Sequence, residues 1–367
     1  MNVVIACGGT GGHLFPGLAV AEVLKARGHE VLVFISEKEI DSLAVANHGD
    51  FRFEKLPTVA LPSPFSPAIL GFVRRFHGSL ALCRAIYRKF PPQIVLGMGG
   101  FTSTAPVLAG RLRGSATFIH ESNAYPGKAN RHAARFVRAV LLGFQECAAF
   151  FPRTTTAWTG TPIRANLRRI DRAEALVRLG LRPELPTLLV MGGSQGAQGI
   201  NQAMIKALPA LQGKSLQIIH LTGSRDARLL EDNYRRENIP AFVAAFHHAM
   251  EEVYSAADFA IARSGAASLA ELAHFALPSL LIPYPYAADD HQTRNAEIFV
   301  AAKAALLLRE SDLVDDLLGK KIAQLLGEQA ALRAMGAAAA ALAPKNAAEL
   351  VVETMERYSQ PHDALAA

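Results

Sequence analysis

The chain has 367 residues, of which 50% are hydrophobic and 19% are charged, a composition typical of globular proteins and a length sufficient for two domains. Its three cysteines, Cys7, Cys83 and Cys147, are too widely spaced for a disulfide framework or a metal-ligand cluster, which favours a reducing cytoplasm. No apolar stretch approaches the roughly 20 residues that span a bilayer, and the first apolar run is too short for a secretory signal.

The net charge of +6 is unevenly distributed. Residues 1–162 carry a net charge of +8, residues 163–343 are balanced, and residues 344–367 carry −2. The excess in the first part predicts an anionic partner there. Because the basic residues are spread out and match no recognisable nucleic-acid-binding module, an anionic membrane surface is favoured over nucleic acid.

Strands and helices alternate along the first half of the chain. We expect a helix over residues 17–27, and strands over residues 3–7, 31–35, 94–98 and 117–120. This βαβ order predicts a parallel sheet that is buried on both faces and binds ligands at the carboxyl ends of its strands.

Glycine and proline interrupt this order at residues 158–164, after which it starts again. We expect strands over residues 188–191, 217–221, 241–243, 259–262 and 279–282, and a helix over residues 329–343. The sequence therefore predicts an α/β protein with an N-terminal domain (1–162), a C-terminal domain (163–343), and a final helix within 344–367 that packs back on the first domain.

Each half contains a glycine-rich turn directly after a predicted strand. Residues 8–13 are Gly-Gly-Thr-Gly-Gly-His, and residues 192–197 are Gly-Gly-Ser-Gln-Gly-Ala. Backbone N–H groups in such turns, at the start of a helix, bind phosphate. Neither turn has the dinucleotide or Walker spacing, so a nicotinamide cofactor is disfavoured. A tight turn without a ligand is the alternative for each, although its recurrence in both halves argues against it.

Two further segments carry polar groups that suit a sugar nucleotide. Residues 263–271 begin as Arg-Ser-Gly after a predicted strand and place Glu271 on the following helix. There its carboxylate could accept hydrogen bonds from the two hydroxyls of a ribose. A surface glutamate near a helix start is the alternative. Asp290 and His291 lack a further metal ligand at suitable spacing, whereas amide and imidazole groups suit sugar hydroxyls.

Residues 64–76 mix apolar side chains with arginine beside a proline-rich segment. This composition favours an element that dips into lipid headgroups, whereas a helix packed on the core is the alternative. The apolar candidates for membrane contact are Phe65, Ile69, Leu70, Phe72 and Phe76.

In this order, the motifs resemble those of the MurG family, the GT-B glycosyltransferases of family 28 that add N-acetylglucosamine to a membrane-anchored muramoyl-pentapeptide diphospholipid. The resemblance covers nearly the whole chain and rests on residues 8–13, 97–101, 120–124, 160–164, 192–197, 263–271 and 289–296. Phe101, Ser122 and Thr161 are conservative departures from the tyrosine, glutamine and asparagine common in that family.

The resemblance implies two Rossmann-like parallel-sheet domains facing across a cleft, with no cofactor and no metal. It implies inverting transfer from UDP-N-acetylglucosamine to the 4-hydroxyl of undecaprenyl-diphospho-N-acetylmuramoyl-pentapeptide, which converts lipid I to lipid II in peptidoglycan synthesis. It further implies a peripheral protein on the cytoplasmic face of the cell membrane, with partners among the proteins of cell-wall synthesis or division. The alternatives are another GT-B enzyme, such as a diacylglycerol glycosyltransferase or a UDP-sugar epimerase, and a scaffold without catalysis.

The resemblance also implies roles for individual residues in binding the donor. Ser194 and the neighbouring amides hold the diphosphate, Glu271 binds the ribose, and Gln292 contacts the N-acetylglucosamine. The main chain at His247 meets the uracil, and Arg164 lies near the phosphates. The wall of the ribose pocket consists of Ala266, Ala267, Ser268, Leu269 and Ala270.

The remaining residues are expected towards the sugar and the acceptor diphosphate. These are Thr10, Gly11, Gly12 and Asn123. His13 is the candidate general base for the acceptor hydroxyl, because an unperturbed imidazole titrates near neutral pH. Glu121 and a water molecule are its rivals.

Overall fold

A computed structural model describes residues 1–37, 50–57, 68–193 and 196–359 of the chain. Two compact units make up the fold. Unit 1 comprises Met1–Ala165 together with Asn346–Ala367, and unit 2 comprises Asn166–Lys345. Within the described ranges, none of the helices has the length and hydropathy that crossing a bilayer requires.

Unit 1 is built on a parallel sheet with helices on its faces. Its strands are β1 (Asn2–Ala6), β2 (Glu30–Ser36), β3 (Arg52–Leu56), β4 (Ile94–Gly97), β5 (Ala116–Glu121), β6 (Ala139–Leu142) and β7 (Thr156–Trp158). Among the described residues before 166, its helices are α1 (Gly11–Ala26), α2 (Ala68–Lys89), α3 (Gly100–Arg113) and α4 (Lys128–Ala133), and a 3-10 helix covers Gln145–Phe150.

The strand order in unit 1 is β3-β2-β1-β4-β5-β6-β7, and neighbouring strands are parallel. Alternate residues of β1 face opposite sides, so that Val3 and Ile5 join one core cluster and Val4 and Ala6 join the other. Chain order reverses between β1 and β4. The loops that follow these two strands therefore lie at the switch point where open α/β sheets bind ligands.

The helix after β1 begins earlier than predicted. The sequence predicts a start at Gly17, but α1 starts at Gly11 and contains Pro16. Proline has a helical φ, and the intrahelical hydrogen bond lost at its nitrogen is tolerated because Pro16 and the residues around it are buried in the core. The earlier start places His13 within the first turn of α1.

Unit 2 repeats this architecture. Its strands are β8 (Thr187–Met191), β9 (Gln217–Leu221), β10 (Ala241–Ala244), β11 (Phe259–Ala262), β12 (Ser279–Leu281) and β13 (Ala305–Leu307). Its helices are α5 (Arg172–Arg178), α6 (Gln198–Leu211), α7 (Ala227–Arg236), α8 (Met250–Ala256), α9 (Ala266–His274), α10 (His291–Ala301), α11 (Leu317–Gly327) and α12 (Gln329–Ala341), with 3-10 turns at Ala288–Asp290 and Glu310–Asp312.

The strand order in unit 2 is β10-β9-β8-β11-β12-β13, again with parallel neighbours. Its switch point lies between β8 and β11, so the loops after these strands form the equivalent ligand-binding edge. The prediction of an α/β protein with two parallel sheets is confirmed.

The final helix, α13 (Ala347–Ser359), belongs to unit 1. Val351, Val352 and Met355 are fully buried in the same core cluster as residues of β1 and α1. Arg27 at the end of α1 forms ion pairs with Glu353 (3.1 Å) and Glu356 (2.9 Å). The chain therefore leaves unit 1, forms unit 2, and returns to complete the first core.

A buried polar network centres on His220 in β9. Its Nδ1 lies 2.8 Å from the Tyr234 hydroxyl, and its Nε2 lies 3.1 Å from Asn201 Oδ1. Because Asn201 Oδ1 only accepts hydrogen bonds, Nε2 donates and Nδ1 accepts from Tyr234. Burial lowers the pKa of His220 from 6.5 to about 3, so the ring is neutral at physiological pH.

We expect the depressed pKa of His220 to make unit 2 less stable in mild acid. In the unfolded chain, His220 binds a proton below about pH 6.5, whereas in the folded chain it stays neutral down to about pH 3. The free energy of unfolding therefore falls as pH is lowered from 6.5 towards 3. Between pH 7.5 and pH 5.0 the loss is about 2 kcal/mol, to be measured by urea unfolding at both pH values.

The control for this prediction is His220→Gln, whose amide can bond to both partners but does not titrate. That variant should lose about 2 kcal/mol of the pH dependence, whatever its stability at pH 7.5. An unchanged pH dependence in the variant would contradict the assignment of the effect to His220.

Candidate active site

In unit 1, the glycine turn after β1 places His13 beside the loop after β4. His13 is half-buried in the first turn of α1, and its Nδ1 lies 3.2 Å from the Thr10 hydroxyl. On its other side, a Cβ added at Gly99 would lie 3.1 Å from His13 Nε2. Gly99 has a φ of +102°, which favours glycine for a second, independent reason. The absence of a side chain at Gly99 leaves room for the imidazole.

Glu121 ends β5 and is almost completely buried. Its Oε1 accepts from the backbone N–H (3.0 Å) and the side-chain amide (3.2 Å) of Asn123, and its Oε2 accepts from the N–H of Gly127 (3.0 Å) and Nδ2 of Asn130 (2.8 Å). Burial raises the pKa of this carboxyl group, and the four donors oppose that rise. Since both oxygens are occupied in holding residues 123–130, Glu121 is a poor candidate for a base.

His120 precedes Glu121 and is fully buried. Its Nε2 donates to the carbonyl of Gly160 (2.9 Å), which makes Nδ1 the acceptor from the Ser122 hydroxyl (3.1 Å). The pKa of His120 is lowered to about 4, mainly by burial and to a smaller extent by the nearby His13, while the hydrogen bond to Gly160 opposes the shift. A neutral His120 therefore connects β5 to the segment that continues to Arg164.

Arg164 lies over the Phe15 ring, with its guanidinium carbon 4.9 Å from the ring centroid. Phe15 also packs close to Gly11, where an added Cβ would approach its ring to 3.3 Å. The structure thus brings Arg164 to the start of α1, the helix that carries Thr10 at its N-cap and Gly11, Gly12 and His13 in its first turn.

In unit 2, the turn after β8 favours glycine at Gly192, Gly193 and Gly196. A Cβ at Gly196, which has a φ of +76°, would collide with the Thr222 carbonyl oxygen, and one at Gly192 would collide with Ala197. Gly193 has a φ of +102° and no atom within 4 Å of an added Cβ. Ala197, the N-cap of α6, provides no side-chain hydrogen bond to the helix start. Such a turn suits a phosphate group. Ser194 lies outside the described residues.

Helix α9 follows the second switch-point strand and carries the five predicted wall residues and Glu271. Its N-cap is Gly265, again without a side-chain cap. Glu271 is half-buried in the second turn, where its Oε2 accepts a 2.6 Å hydrogen bond from the Tyr254 hydroxyl of α8. This partner was not predicted, because Tyr254 lies on another helix and in no recognised motif.

The start of α10 is tied to the start of α9. The Ser264 hydroxyl donates to the Gln292 carbonyl (2.8 Å), and Asn295 Nδ2 donates to the Ser264 carbonyl (3.1 Å). Gln292 Oε1 accepts from the backbone N–H of Tyr284 (3.0 Å), which orients its amide. Asp289 and Asp290, just before α10, have positive φ values of 52° and 51°. Strained residues of this kind are concentrated at ligand-binding loops.

Arg263 is a further residue whose role was not predicted. Its Nη1 donates to the carbonyls of Ile282 (3.1 Å) and Pro283 (2.9 Å), and its Nη2 pairs with Glu310. The buried guanidinium fixes the loop that leads from β12 towards Gln292. The Arg-Ser-Gly sequence indicated a helix start, but its arginine gave no signal of these carbonyl partners.

His247 follows β10, as predicted. Its Nε2 lies 3.1 Å from Glu252 Oε2, and its ring packs edge-on against Phe242 at 5.5 Å. The side chain of His247 is thus occupied by protein contacts. This is compatible with the prediction that the main chain, and not the side chain, meets the uracil at this position. Within the described ranges, no three His, Cys, Asp or Glu side chains are clustered as metal ligands would be.

Both units match models of one glycosyltransferase family. Residues 3–142 match the glycosyltransferase family 28 N-terminal domain, and residues 187–351 match the family 28 C-terminal domain. The chain belongs to glycosyltransferase family 28, and its two parallel-sheet units are of the GT-B type.

Relatives share nearly the full length of the chain. One relative, from Geobacter sp. (strain M21), is named UDP-N-acetylglucosamine--N-acetylmuramyl-(pentapeptide) pyrophosphoryl-undecaprenol N-acetylglucosamine transferase. It is 37% identical to this chain, and the alignment covers 99% of this chain and 98% of the relative. A relative of the same name from Citrifermentans bemidjiense is 38% identical, over 97% of this chain and 99% of its own.

Solved structures agree with this assignment. The crystal structure of MurG from Acinetobacter baumannii is 25% identical, with a TM-score of 0.77, and covers 97% of this chain and 99% of that one. A putative UDP-N-acetylglucosamine 2-epimerase from Listeria monocytogenes has a TM-score of 0.70 but only 12% identity, over 98% of this chain and 96% of that one. The second likeness concerns the fold alone.

Proposed function

We propose that the chain transfers N-acetylglucosamine from UDP-N-acetylglucosamine to the 4-hydroxyl of undecaprenyl-diphospho-N-acetylmuramoyl-pentapeptide, with inversion, converting lipid I to lipid II. The observation that carries the proposal is the 37% identity, across 99% of the chain, to a transferase with these two substrates in its name. The glycine turn at β8, with Glu271 and Gln292 in unit 2, supplies groups that suit a sugar nucleotide.

The proposed reaction is a single displacement. The acceptor oxygen forms a bond to C1 of the sugar while the bond from C1 to the UDP oxygen breaks, and His13 takes the hydroxyl proton. Negative charge develops on the departing diphosphate. The N–H groups of the turn at residues 192–197 and the guanidinium of Arg164 are the proposed groups that stabilise this charge.

Release of UDP tests this proposal directly. The assay uses UDP-N-acetylglucosamine with and without a short-chain analogue of lipid I, in excess EDTA. We expect release that depends on the acceptor and survives EDTA. Release or epimerisation without the acceptor would instead support another GT-B activity, such as that of a UDP-sugar epimerase, and donor binding without release would support a scaffold.

We also propose that unit 1 binds an anionic membrane surface, as a peripheral protein on the cytoplasmic face. Leu70 and Val73, in the first turns of α2, are 77% and 42% exposed. Phe72 beside them contacts Phe101 edge-on at 6.1 Å, directly after Gly99 and Gly100. The exposed apolar start of α2 is thus adjacent to the loop that contacts His13. Phe65 lies outside the described residues.

Positive charge in unit 1 supports the same proposal. Arg74 and Arg75 are exposed between the apolar residues of α2. Basic and apolar groups together provide the two contributions that hold a protein at an anionic bilayer.

The double substitution Leu70→Glu, Val73→Glu should weaken binding to phosphatidylglycerol vesicles by at least about tenfold, since each aliphatic side chain contributes roughly 1.5–3 kcal/mol when fully buried. Co-sedimentation measures the effect. The matched control is Leu229→Glu in α7 of unit 2, where an equally apolar side chain is 46% exposed. Equal loss in the control, or none in the double variant, would contradict the assignment of α2.

A further inference from the structure

Tyr254 in α8 is buried, with 2% of its surface exposed, and its hydroxyl has a charged partner. It donates a 2.6 Å hydrogen bond to Glu271 Oε2 and lies 3.6 Å from the sulfur of Met191. The Tyr254 ring stacks on Phe275 with centroids 5.0 Å apart and planes at 28°. A rigid aromatic side chain therefore holds one oxygen of a half-buried carboxylate.

A glutamate side chain is flexible, and fixing it for ligand binding costs conformational entropy. A carboxylate that grips two vicinal hydroxyls must present its oxygens in a set direction. The Tyr254 hydroxyl provides such direction before any ligand binds, because its own ring is buried and stacked on Phe275. Preorganisation of this kind improves affinity without any contact between the tyrosine and the ligand.

The second contact of Tyr254 lies on the strand that leads to the phosphate-binding turn. Met191 is the last residue of β8 and directly precedes Gly192. Tyr254 thus touches the base of that turn and also holds Glu271. Its position links the two parts of unit 2 that are proposed to take the ribose and the diphosphate.

We propose that Tyr254 is a positioning residue, which sets the Glu271 carboxylate for the ribose hydroxyls of the donor. This inference rests on the proposed function, in particular on the binding of a uridine diphosphate sugar by unit 2. Tyr254 acts through Glu271, so its effect should appear only with ligands that carry both ribose hydroxyls. A tyrosine that merely fills the core would affect all uridine ligands alike.

The test is Tyr254→Phe, which keeps the ring and removes the hydroxyl. We expect the Kd for UDP to rise about fivefold, the effect of having to order one flexible side chain on binding. The Kd for 2′,3′-dideoxyuridine diphosphate should remain at its wild-type value. With UDP-N-acetylglucosamine, KM should rise in parallel with the Kd for UDP while kcat stays unchanged.

The matched control is Tyr234→Phe. Tyr234 is equally buried in unit 2, and its hydroxyl bonds to His220 rather than to a predicted site residue. This variant should change the stability of unit 2 but leave both Kd values unaltered. Circular dichroism of all variants at the assay temperature confirms that the binding data refer to folded protein.

Two outcomes would overturn the role of Tyr254. One is an equal loss of affinity for UDP and for the dideoxy analogue. The other is additivity: if Tyr254→Phe weakens UDP binding as much in a Glu271→Gln background as alone, the two side chains act independently. Failure of the proposed function looks different, because then the wild-type protein itself fails to bind UDP or Glu271→Gln leaves UDP binding unchanged.

Discussion

Replacing His13 by alanine should lower kcat about 10²- to 10⁴-fold, the range that general-base catalysis contributes, and leave the Kd for UDP-N-acetylglucosamine unchanged. The physical reason is that the imidazole is placed by Thr10 on one side and by the space above Gly99 on the other, so that it can receive a proton. Steady-state kinetics with the lipid I analogue measure kcat, and calorimetry measures donor binding.

His132→Ala is the control, since His132 is an exposed histidine of the same unit in α4. It should leave kcat and the donor Kd unaltered. A His13→Ala variant that loses donor affinity and turnover to the same extent would show a binding role instead. Full activity of that variant would remove His13 from the mechanism and leave Glu121 or a water molecule as the acceptor of the proton.

The second large effect concerns Glu121, the rival base. We expect Glu121→Gln to lower the free energy of unfolding by about 3 kcal/mol, since hydrogen bonds to a charge are lost and an amide NH₂ is brought against N–H donors. The loop at residues 123–130 should loosen most, and hydrogen exchange of the Gly127 amide measures this directly. Activity should fall only because the loop at residues 123–130 is less often folded.

Glu146→Gln, which alters an exposed glutamate of unit 1, should be neutral in both measurements. The role of Glu121 as a loop-holding residue would be wrong if Glu121→Gln kept its stability and its exchange rates but lost turnover. That pattern would identify the carboxylate as the base, in spite of the four hydrogen bonds that it accepts.

Most strands in the middle of each sheet could be predicted from the sequence, because they are apolar runs at the regular spacing of a βαβ pattern. The interior strand β6 was missed, although its four residues are all apolar and Gly143 follows them. Of the four edge strands, β10 was predicted, but β3, β7 and β13 could not be. β3 has the sequence Arg-Phe-Glu-Lys-Leu, whose charges reflect its place at an edge, and β7 and β13 are only three residues long. Such short segments are ordered by their neighbours in the sheet rather than by their own composition.

The positions of the site residues relative to the strands could also be predicted, because ligand loops follow strand ends in parallel sheets. The supporting contacts could not. Tyr254 and Glu271 lie on separate helices, and Arg263 reaches two carbonyls near residue 283, so the pairs are formed only by tertiary packing. The roles assigned to His13, Gln292 and the other site residues stay predictions until they are measured.

The return of α13 to unit 1 has a consequence for synthesis on the ribosome. The core around β1 and α1 lacks Val351, Val352 and Met355 until the end of the chain has been made, whereas the residues of unit 2 are contiguous. Unit 2 can therefore complete its core while the nascent N-terminal unit still exposes apolar surface. A stop codon just before residue 346 would remove α13, damaging unit 1 and sparing unit 2. The residues made first therefore depend on the residues made last for protection from proteases and aggregation.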